Sequence, residues 1–155
     1  MPTTNGGFEN LWYSYDHGMV HFVHIDTETD LGSGLTGPDA SYYGVNNFAA
    51  PNAQVDWLTQ DLANARANSA TPWIVVFGHR GWYLSATSSI CANCQTAFEE
   101  LLWQYGVDLY INGHAHLYER VTPIVNGTID PNGLNNPNAT LYITTGAAGH
   151  YAGMF

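Results

Sequence analysis

Hydrophobic and polar positions along the chain follow two different periodicities. The segment 19–26 (MVHFVHID) repeats β-branched and aromatic residues at every second position, which predicts a strand. Segment 73–77 is almost continuously apolar, a pattern typical of a strand covered on both faces, and segment 107–113 predicts another buried strand. Two later apolar segments, 120–127 and 139–146, predict further strands on either side of a polar loop.

Helical spacing replaces the strand pattern in two intervening segments. Residues 51–67 begin with Pro51, a residue favoured in the first turn of a helix, and then carry one apolar stripe. Residues 95–106 carry a second stripe and end at Gly106, a typical helix stop. The resulting order of strand, helix, strand, helix and strand predicts right-handed crossovers and a largely parallel sheet, so we expect an α/β domain or a part of one.

The composition indicates a folded, acidic chain. Its 155 residues are 45% hydrophobic and 14% aromatic, enough for a sizeable core. Three arginines and no lysine stand against thirteen acidic residues, and the net charge is −10. Such a surface repels phosphate backbones and anionic lipids, so we expect neither nucleic acid nor a membrane as a partner. No apolar run approaches the roughly 20 residues that cross a bilayer.

Three features favour a secreted, extracellular protein. Asn126 (NGT) and Asn138 (NAT) both stand in sequons for N-glycosylation, within a stretch rich in Pro, Asn and Gly. Cys91 and Cys94 form the sequence CANC, which we interpret as a structural disulfide. It lacks the preceding strand of a thioredoxin-like motif and the second Cys or His pair of a zinc knuckle. The acidic charge balance suits work outside the cell, although the first ten residues contain neither the basic nor the apolar segment of a signal peptide.

Two of the predicted strands end in the same way, with glycine followed by histidine. His79 follows one strand and His114 follows the other, with His116 two positions later. Because active sites gather beyond the carboxyl ends of parallel strands, we expect the three imidazoles to meet at one edge of the sheet. In extended backbone the i, i+2 spacing points His114 and His116 to one side, and Gly113 would allow a tight turn there. The three histidines therefore predict a metal site.

The remaining candidates are histidines and carboxylates outside this group. His21 and His24 fall on opposite faces of one strand, so we expect them to pack separately rather than act as a pair. His150 lies in a glycine-rich loop after the last predicted strand, where it could line a pocket. Of the carboxylates that could complete a metal site, Asp26 stands at the end of a strand, whereas Asp108 stands at the start of one and is discounted.

A family resemblance is carried by segments 13–29, 71–83 and 105–120. In that order they resemble the second half of the purple acid phosphatases, members of the metallophosphoesterase superfamily, and the resemblance is closest to the fungal secreted branch. The combination of GHxHxYER with an upstream GHR-x-x-Y carries it. The resemblance implies a central β-sandwich flanked by helices, an αββα arrangement of which this chain forms a portion. It also implies the hydrolysis of phosphate monoesters at acidic pH.

The resemblance further implies a role for each of the three histidines. His79 and His114 would bind a divalent metal, which is Zn, Mn or Fe(II) in the family, and His116 would bind Fe(III). Two metal ions in such a dinuclear centre hold the phosphate and acidify a bound water, which attacks phosphorus in line. No catalytic residue beyond these ligands is assigned.

The chain departs from the family pattern in the motifs that it lacks. The GDxxY-type segment, an earlier Asp and the GNHE segment, which supply the remaining ligands in the family, do not occur. We therefore interpret residues 1–155 as the C-terminal part of one metallophosphoesterase domain, with the N-terminal half as its missing partner. By itself the chain is expected to be inactive, to hold one divalent ion weakly or none, and to self-associate through the uncovered face of its sheet.

A non-catalytic role is the alternative from another class. The chain could be a structural or surface-assembly protein that reuses a degenerate phosphatase half, with the loops 36–50 and 126–140 packing between copies. Intact Asp, Tyr and Asn-His motifs upstream would favour the enzyme, and their absence would favour the assembly protein.

Overall fold

The computed structural model describes residues 6–38, 40–43 and 47–148, and its central feature is a mixed six-stranded sheet. The strands of this sheet are β1 (Tyr13–His17), β2 (Val20–His24), β3 (Trp73–Phe77), β4 (Leu109–Asn112), β5 (Tyr118–Val121) and β8 (Leu141–Thr145). A separate two-stranded ribbon consists of β6 (Ile124–Val125) and β7 (Thr128–Ile129). The helices are α1 (Ala40–Tyr43), α2 (Ala53–Ala67) and α3 (Ala92–Gln104). Within these ranges, none of the helices has the length and apolar character that crossing a bilayer requires.

The strand order β1-β2-β3-β4-β8-β5 places a parallel core between two antiparallel edges. Strands β2, β3, β4 and β8 run parallel, while β1 and β5 pair antiparallel with β2 and β8. The α/β class, with a central sheet flanked by helices, is confirmed. Helix α3 begins at Ala92, three residues before the predicted start, because Cys91 precedes it as the cap and its Sγ accepts a hydrogen bond from the Cys94 N–H across 3.2 Å.

The hydrophobic core lies between the sheet and the two longer helices. Alternate strand positions, such as Val23, Val76 and Tyr110, point toward α2 and α3 and are fully buried. Leu62 of α2 and Phe98 of α3 meet them from the other side. Each fully buried side chain of this kind contributes about 1.5–3 kcal/mol to folding, so this layer holds the helices on the sheet.

The opposite face of the sheet carries two apolar rows that cross the parallel strands in register. The first row is Phe22, Val75, Leu109 and Leu141, and the second is His24, Phe77, Ile111 and Ile143. All of these side chains are only partly buried, and we call the surface that they form the open face. Burial therefore alternates along β3 and β4. The prediction that both faces of β3 are covered is wrong for the described part of the chain.

Candidate functional site

The carboxyl ends of β3 and β4 lie side by side, because Phe77 pairs with Ile111 across the two strands. His79 follows the first strand and His114 the second, and Nε2 of His79 lies 3.2 Å from Nδ1 of His114. The two rings meet edge to face, with their centroids 5.1 Å apart. The structure thus brings together the two histidines of the repeated Gly-His pattern.

The facing nitrogens have the spacing that a shared metal ion requires. Two nitrogens held about 2.0–2.1 Å from a tetrahedral ion lie roughly 3.3–3.4 Å apart, close to the 3.2 Å between Nε2 of His79 and Nδ1 of His114. His79 is exposed and His114 is half-buried, so an ion can reach the pair from solvent. Neutral imidazole suits Zn and Fe, and the pair therefore fits one divalent ion whose further ligands come from elsewhere.

His116 does not lie in the extended backbone that the sequence predicts. His114 adopts a left-handed conformation with φ of 58°, and the following residues make tight backbone hydrogen bonds, from Ala115 N to Gly113 O at 2.7 Å and from Leu117 N to Ala115 O at 2.8 Å. The argument that an i, i+2 spacing points both imidazoles to one side is therefore wrong here. Residues 6–38, 40–43 and 47–148 contain no group of three or more His, Cys, Asp or Glu that could hold a metal ion, and a ligand role for His116 stays a prediction.

Of the two glycines that precede His79 and His114, the one whose missing side chain matters is Gly78 rather than Gly113. The turn expected at Gly113 is made by His114, and a Cβ built on Gly113 would meet nothing closer than 3.8 Å. A Cβ on Gly78 would collide with the hydroxyl of Tyr110. That hydroxyl is fixed in place. It donates a hydrogen bond to the Arg80 carbonyl at 2.6 Å, and the Tyr110 side chain is fully buried. The missing side chain at Gly78 therefore lets the loop carrying His79 pass over the end of β4.

Arg80 connects the histidine pair to the loop after β2. Its Nε donates to both carboxylate oxygens of Glu28, at 2.9 and 3.2 Å, and its backbone N–H donates to Oγ1 of Thr27 at 2.9 Å. Its Nη1 donates to Nε2 of His114 at 2.7 Å. A guanidinium only donates hydrogen bonds, so Nε2 of His114 accepts this one and carries no proton. The sequence argument missed Arg80 and Glu28, although Arg80 stands inside the GHR motif.

The two carboxylates considered as further ligands have other roles. Both oxygens of Asp26 accept hydrogen bonds from the loop that follows β2, including Glu28 N–H at 2.7 Å and Thr29 Oγ1 at 2.6 Å. Asp108 lies at the opposite, amino-terminal ends of the strands, where its carboxylate accepts a hydrogen bond from the Ile74 N–H at 2.8 Å. Asp26 therefore stabilises a turn, and Asp108 fixes the start of β3.

A second polar cluster is buried beneath α2, and the sequence argument did not anticipate it. His21 lies 3.0 Å from Asp61 through Nε2 and 2.6 Å from Asp16 through Nδ1, and Ser14 donates to Asp61 at 2.6 Å. Burial by itself lowers the pKa of His21, but the hydrogen bonds to Asp61 and Asp16 and their negative charges outweigh it, so the pKa is raised. The imidazolium form of His21 is thus stabilised between two carboxylates.

His24 lies on the other face of β2, as its spacing from His21 predicts. Its ring stacks on Tyr13 and Phe77, with centroids 4.5 and 5.0 Å away. Burial lowers its pKa. His150 lies outside the described residues.

The cysteines precede or begin α3, and the sequons lie in the β6–β7 turn and in the loop before β8. Cys91 and Cys94 form a disulfide at the start of α3. Asn126 and Asn138 are both exposed. Asn126 stands in the turn between β6 and β7, and two side chains accept hydrogen bonds from the backbone of this turn. The N–H of Asn126 donates to Glu99 at 2.9 Å, and the N–H of Gly127 donates to the Tyr83 hydroxyl at 2.8 Å.

Comparisons with known proteins agree on one superfamily. The family model for the calcineurin-like phosphoesterases matches residues 4–118. Acid phosphatase A of Cryphonectria parasitica is 44% identical over 149 residues, which cover 93% of this chain and 29% of that protein. Purple acid phosphatase 23 of Arabidopsis thaliana is 36% identical over 148 residues, which cover 94% of this chain and 27% of that protein.

The solved structures include one of the same kind. The purple acid phosphatase PPD1 from yellow lupin seeds superposes with a TM-score of 0.66 at 25% identity, covering 88% of this chain and 23% of that one. The chain therefore spans less than a third of the length of these relatives.

Proposed function

The chain belongs to the calcineurin-like phosphoesterase family, and from that premise we propose that it is the C-terminal part of the catalytic domain of a secreted acid phosphatase that hydrolyses phosphate monoesters. The observation that carries this proposal is the pairing of His79 with His114, 3.2 Å apart, at the carboxyl edge of the parallel sheet. That edge is where α/β sheets present their reactive groups. The names of the relatives, acid phosphatase and purple acid phosphatase, support the reaction class.

The proposed site is a dinuclear metal centre of which this chain supplies only the histidine ligands. His79 and His114 would hold the divalent ion, Zn, Mn or Fe(II), and His116 would bind Fe(III). When bound, such a pair of ions holds the phosphate and lowers the pKa of a bound water. Arg80, paired with Glu28, donates to Nε2 of His114 and leaves the proton on Nδ1, so an ion must displace this contact before it binds there.

The rest of the phosphatase domain is the partner that the open face fits. Its two rows are in register and only partly buried, which suits the packing of a second sheet about 10 Å away. The same missing portion would bring the carboxylate ligands that Fe(III) requires. By itself the chain is therefore expected to lack phosphatase activity and to hold at most one weakly bound divalent ion.

An assay of three preparations tests the proposal. The full-length parent, the isolated chain, and the chain co-expressed with the remaining part of the parent are each given an aryl phosphate with iron and zinc supplied. We expect turnover from the first and the third but not from the second. A His79→Ala variant should be inactive in the full-length parent, and His17→Ala, which removes an exposed histidine at the end of β1, should be active.

Two results would contradict the proposal. Turnover by the isolated chain comparable to that of the parent would show that residues 1–155 do not need a partner for catalysis. A folded parent that binds both metals but hydrolyses no phosphate monoester would instead favour the alternative of a non-catalytic assembly protein. Secretion with glycans at Asn126 and Asn138 is checked by mass spectrometry of the protein recovered from culture medium.

A further inference from the structure

A large cavity opens at the amino-terminal ends of the parallel strands, opposite the ends that carry the histidine pair. It has a volume of about 700 Å³ and lies beside the amino ends of β3, β4 and β8, where Trp73, Asp108 and Leu141 are among its lining residues. The end of α3 and the loop before β8 complete its wall. None of the residues assigned to the phosphatase site lines it.

Three large, exposed apolar side chains lie among the residues that line this cavity. Trp73 is 54% exposed, Trp103 is 43% exposed and Leu134 is 61% exposed. Two half-exposed indoles on one cavity offer aromatic faces on which a ligand can pack. Between them the lining is polar but electrically balanced, because Arg66 and Asp108 lie 3.6 Å apart as an ion pair. The cavity therefore suits a neutral ligand with both an apolar face and polar edges.

The sequon residue Asn138 is itself part of this lining. Its backbone is fixed by Asp130, whose carboxylate accepts the N–H of Asn138 at 2.7 Å and the N–H of Ala139 at 3.1 Å. The hydrogen bonds from the backbone N–H groups of Asn132, Asn138 and Ala139 lower the pKa of Asp130 against the opposing effect of burial, so this carboxylate stays ionised in mildly acidic solution. A saccharide attached to Asn138 would thus begin at the cavity wall.

We propose that this cavity binds the first N-acetylglucosamine residues of an N-linked glycan carried by Asn138. A pyranose ring presents a face of C–H groups, which can pack on Trp73 or Trp103, while its hydroxyl and acetamido groups can bond with side chains such as Gln104 and Asn136. The covalent link raises the effective concentration of the sugar to the millimolar range, so weak stacking is enough to seat it. The inference rests on glycosylation at Asn138 and not on phosphatase activity.

The rate at which an endoglycosidase removes each glycan from the native protein tests the proposal. The protein is secreted from a glycosylating eukaryotic host and treated with the enzyme under native conditions. Mass spectrometry follows the loss of glycan from each sequon over time. Asn126 is the matched internal control, because it is exposed on a turn outside the cavity. We expect release from Asn138 to be roughly tenfold slower than from Asn126, and the two rates to converge after denaturation.

Variants identify the cavity as the cause of any difference. Trp103→Ala should accelerate native release at Asn138 and leave Asn126 unchanged, while Trp103→Phe, which keeps an aromatic face, should retain most of the protection. Ile129→Ala, at another exposed apolar residue, outside the cavity, is the control. The proposal is overturned by an unglycosylated Asn138, by equal native rates at the two sequons, or by protection that survives both Trp73→Ala and Trp103→Ala.

Discussion

Arg80 donates a hydrogen bond from Nη1 to Nε2 of His114 across 2.7 Å, and this contact decides which nitrogen of the histidine carries the proton. With Nε2 as the acceptor, the proton of neutral His114 lies on Nδ1, the atom that faces His79. A histidine that binds metal through Nδ1 needs the opposite arrangement, with Nε2–H donating to an acceptor. The arginine therefore holds His114 in the tautomer that competes with metal binding by the pair.

Replacement of Arg80 by glutamine should tighten metal binding. The amide oxygen of the Arg80→Gln variant can accept a hydrogen bond from Nε2–H, and the substitution also removes a positive charge beside the ion. We expect the affinity for Co²⁺ or Zn²⁺, measured by isothermal titration, to rise by about tenfold. Arg120→Gln removes the same charge from the edge strand β5 and should have little effect. Unchanged or weaker binding by Arg80→Gln would refute the tautomer argument.

Removal of either paired histidine should weaken the same binding. His79→Ala and His114→Ala each delete one of the two facing nitrogens, and we expect each to lower the affinity for a divalent ion at least tenfold. His79 is exposed, so the melting temperature of His79→Ala should stay close to that of the wild type. A parallel titration of His116→Ala decides whether the third histidine contributes to the same ion. Equal affinities for His79→Ala and the wild type would exclude the pair as a metal site.

The buried cluster around His21 makes the stability of the chain depend on pH. The pKa of His21 is raised above its ordinary value of 6.5, so the charged form is bound more tightly in the folded state. Its contribution to the free energy of unfolding is complete below pH 6.5 and is lost as the pH rises through the raised pKa. Chemical denaturation at a series of pH values should show this loss in the wild type, and Asp61→Asn should flatten the curve.

The loss of stability in Asp61→Asn is best compared with that in Asp16→Asn, which removes the other carboxylate of this cluster. Asp61 is buried, and its replacement by asparagine leaves the buried imidazolium with only the half-exposed Asp16 as a charge partner, so we expect a loss of about 3 kcal/mol at acidic pH. Asp16 has a side chain that is 45% exposed, and Asp16→Asn should lower stability by less than about 1 kcal/mol. His24 acts in the opposite direction, because burial lowers its pKa, and the comparison of variants at each pH cancels its effect. Equal losses in the two variants would contradict the assignment.

Two glycines near the site should respond differently to the same substitution. In Gly78→Ala the new methyl group collides with the Tyr110 hydroxyl, and we expect a loss of about 1–3 kcal/mol in unfolding free energy. Gly113→Ala meets no atom closer than 3.8 Å and should change stability by less than about 1 kcal/mol. Urea denaturation of both variants provides the measurement. If Gly78→Ala leaves the unfolding free energy unchanged, the expected collision with the Tyr110 hydroxyl does not occur.

The open face should drive self-association of the isolated chain. Ile111 lies in the middle of the second row, between Phe77 and Ile143, and a glutamate there would place a charge in any apolar contact. We expect sedimentation velocity to show oligomers of the wild-type chain and a shift toward monomer for Ile111→Glu. Ile129→Glu makes the same change at an exposed residue of β7 and should leave the oligomers intact. A wild-type chain that is monomeric at all concentrations would contradict this expectation.

Sequence pattern predicts the elements whose buried positions are apolar and misses those whose buried positions are polar. Strand β1 is an example of the second kind, because its one fully buried side chain is Ser14, which bonds to Asp61. Gln54 is a buried polar position inside a helix that the pattern does predict: it is fully buried in α2 and accepts a hydrogen bond from the Asp26 N–H at 2.7 Å. These partners are 47 and 28 residues apart in sequence, so no local pattern connects them.

The candidate site likewise has one part that the sequence predicts and another that it does not. The position of His79 beside His114 follows from the topology, since both residues come directly after neighbouring parallel strands. The left-handed conformation of His114 does not follow, because it is rare for any residue but glycine and depends on the hydrogen bonds around Gly113. The contact with Arg80 depends in turn on Glu28, which holds the guanidinium from another loop.

The place of β8 within the sheet determines when this chain can fold during synthesis. The strand is last in sequence among those described, yet it lies between β4 and β5 and pairs with both. A nascent chain released only as far as β7 would therefore have an edge strand, β5, with no neighbour to join, and a parallel core ending at an unpaired β4. Because amino-terminal segments emerge first at about 5–20 residues per second, β4 waits at least a second or so for its partner. A stop codon before Leu141 would thus remove the strand that joins the two parts of the sheet, rather than trim its margin.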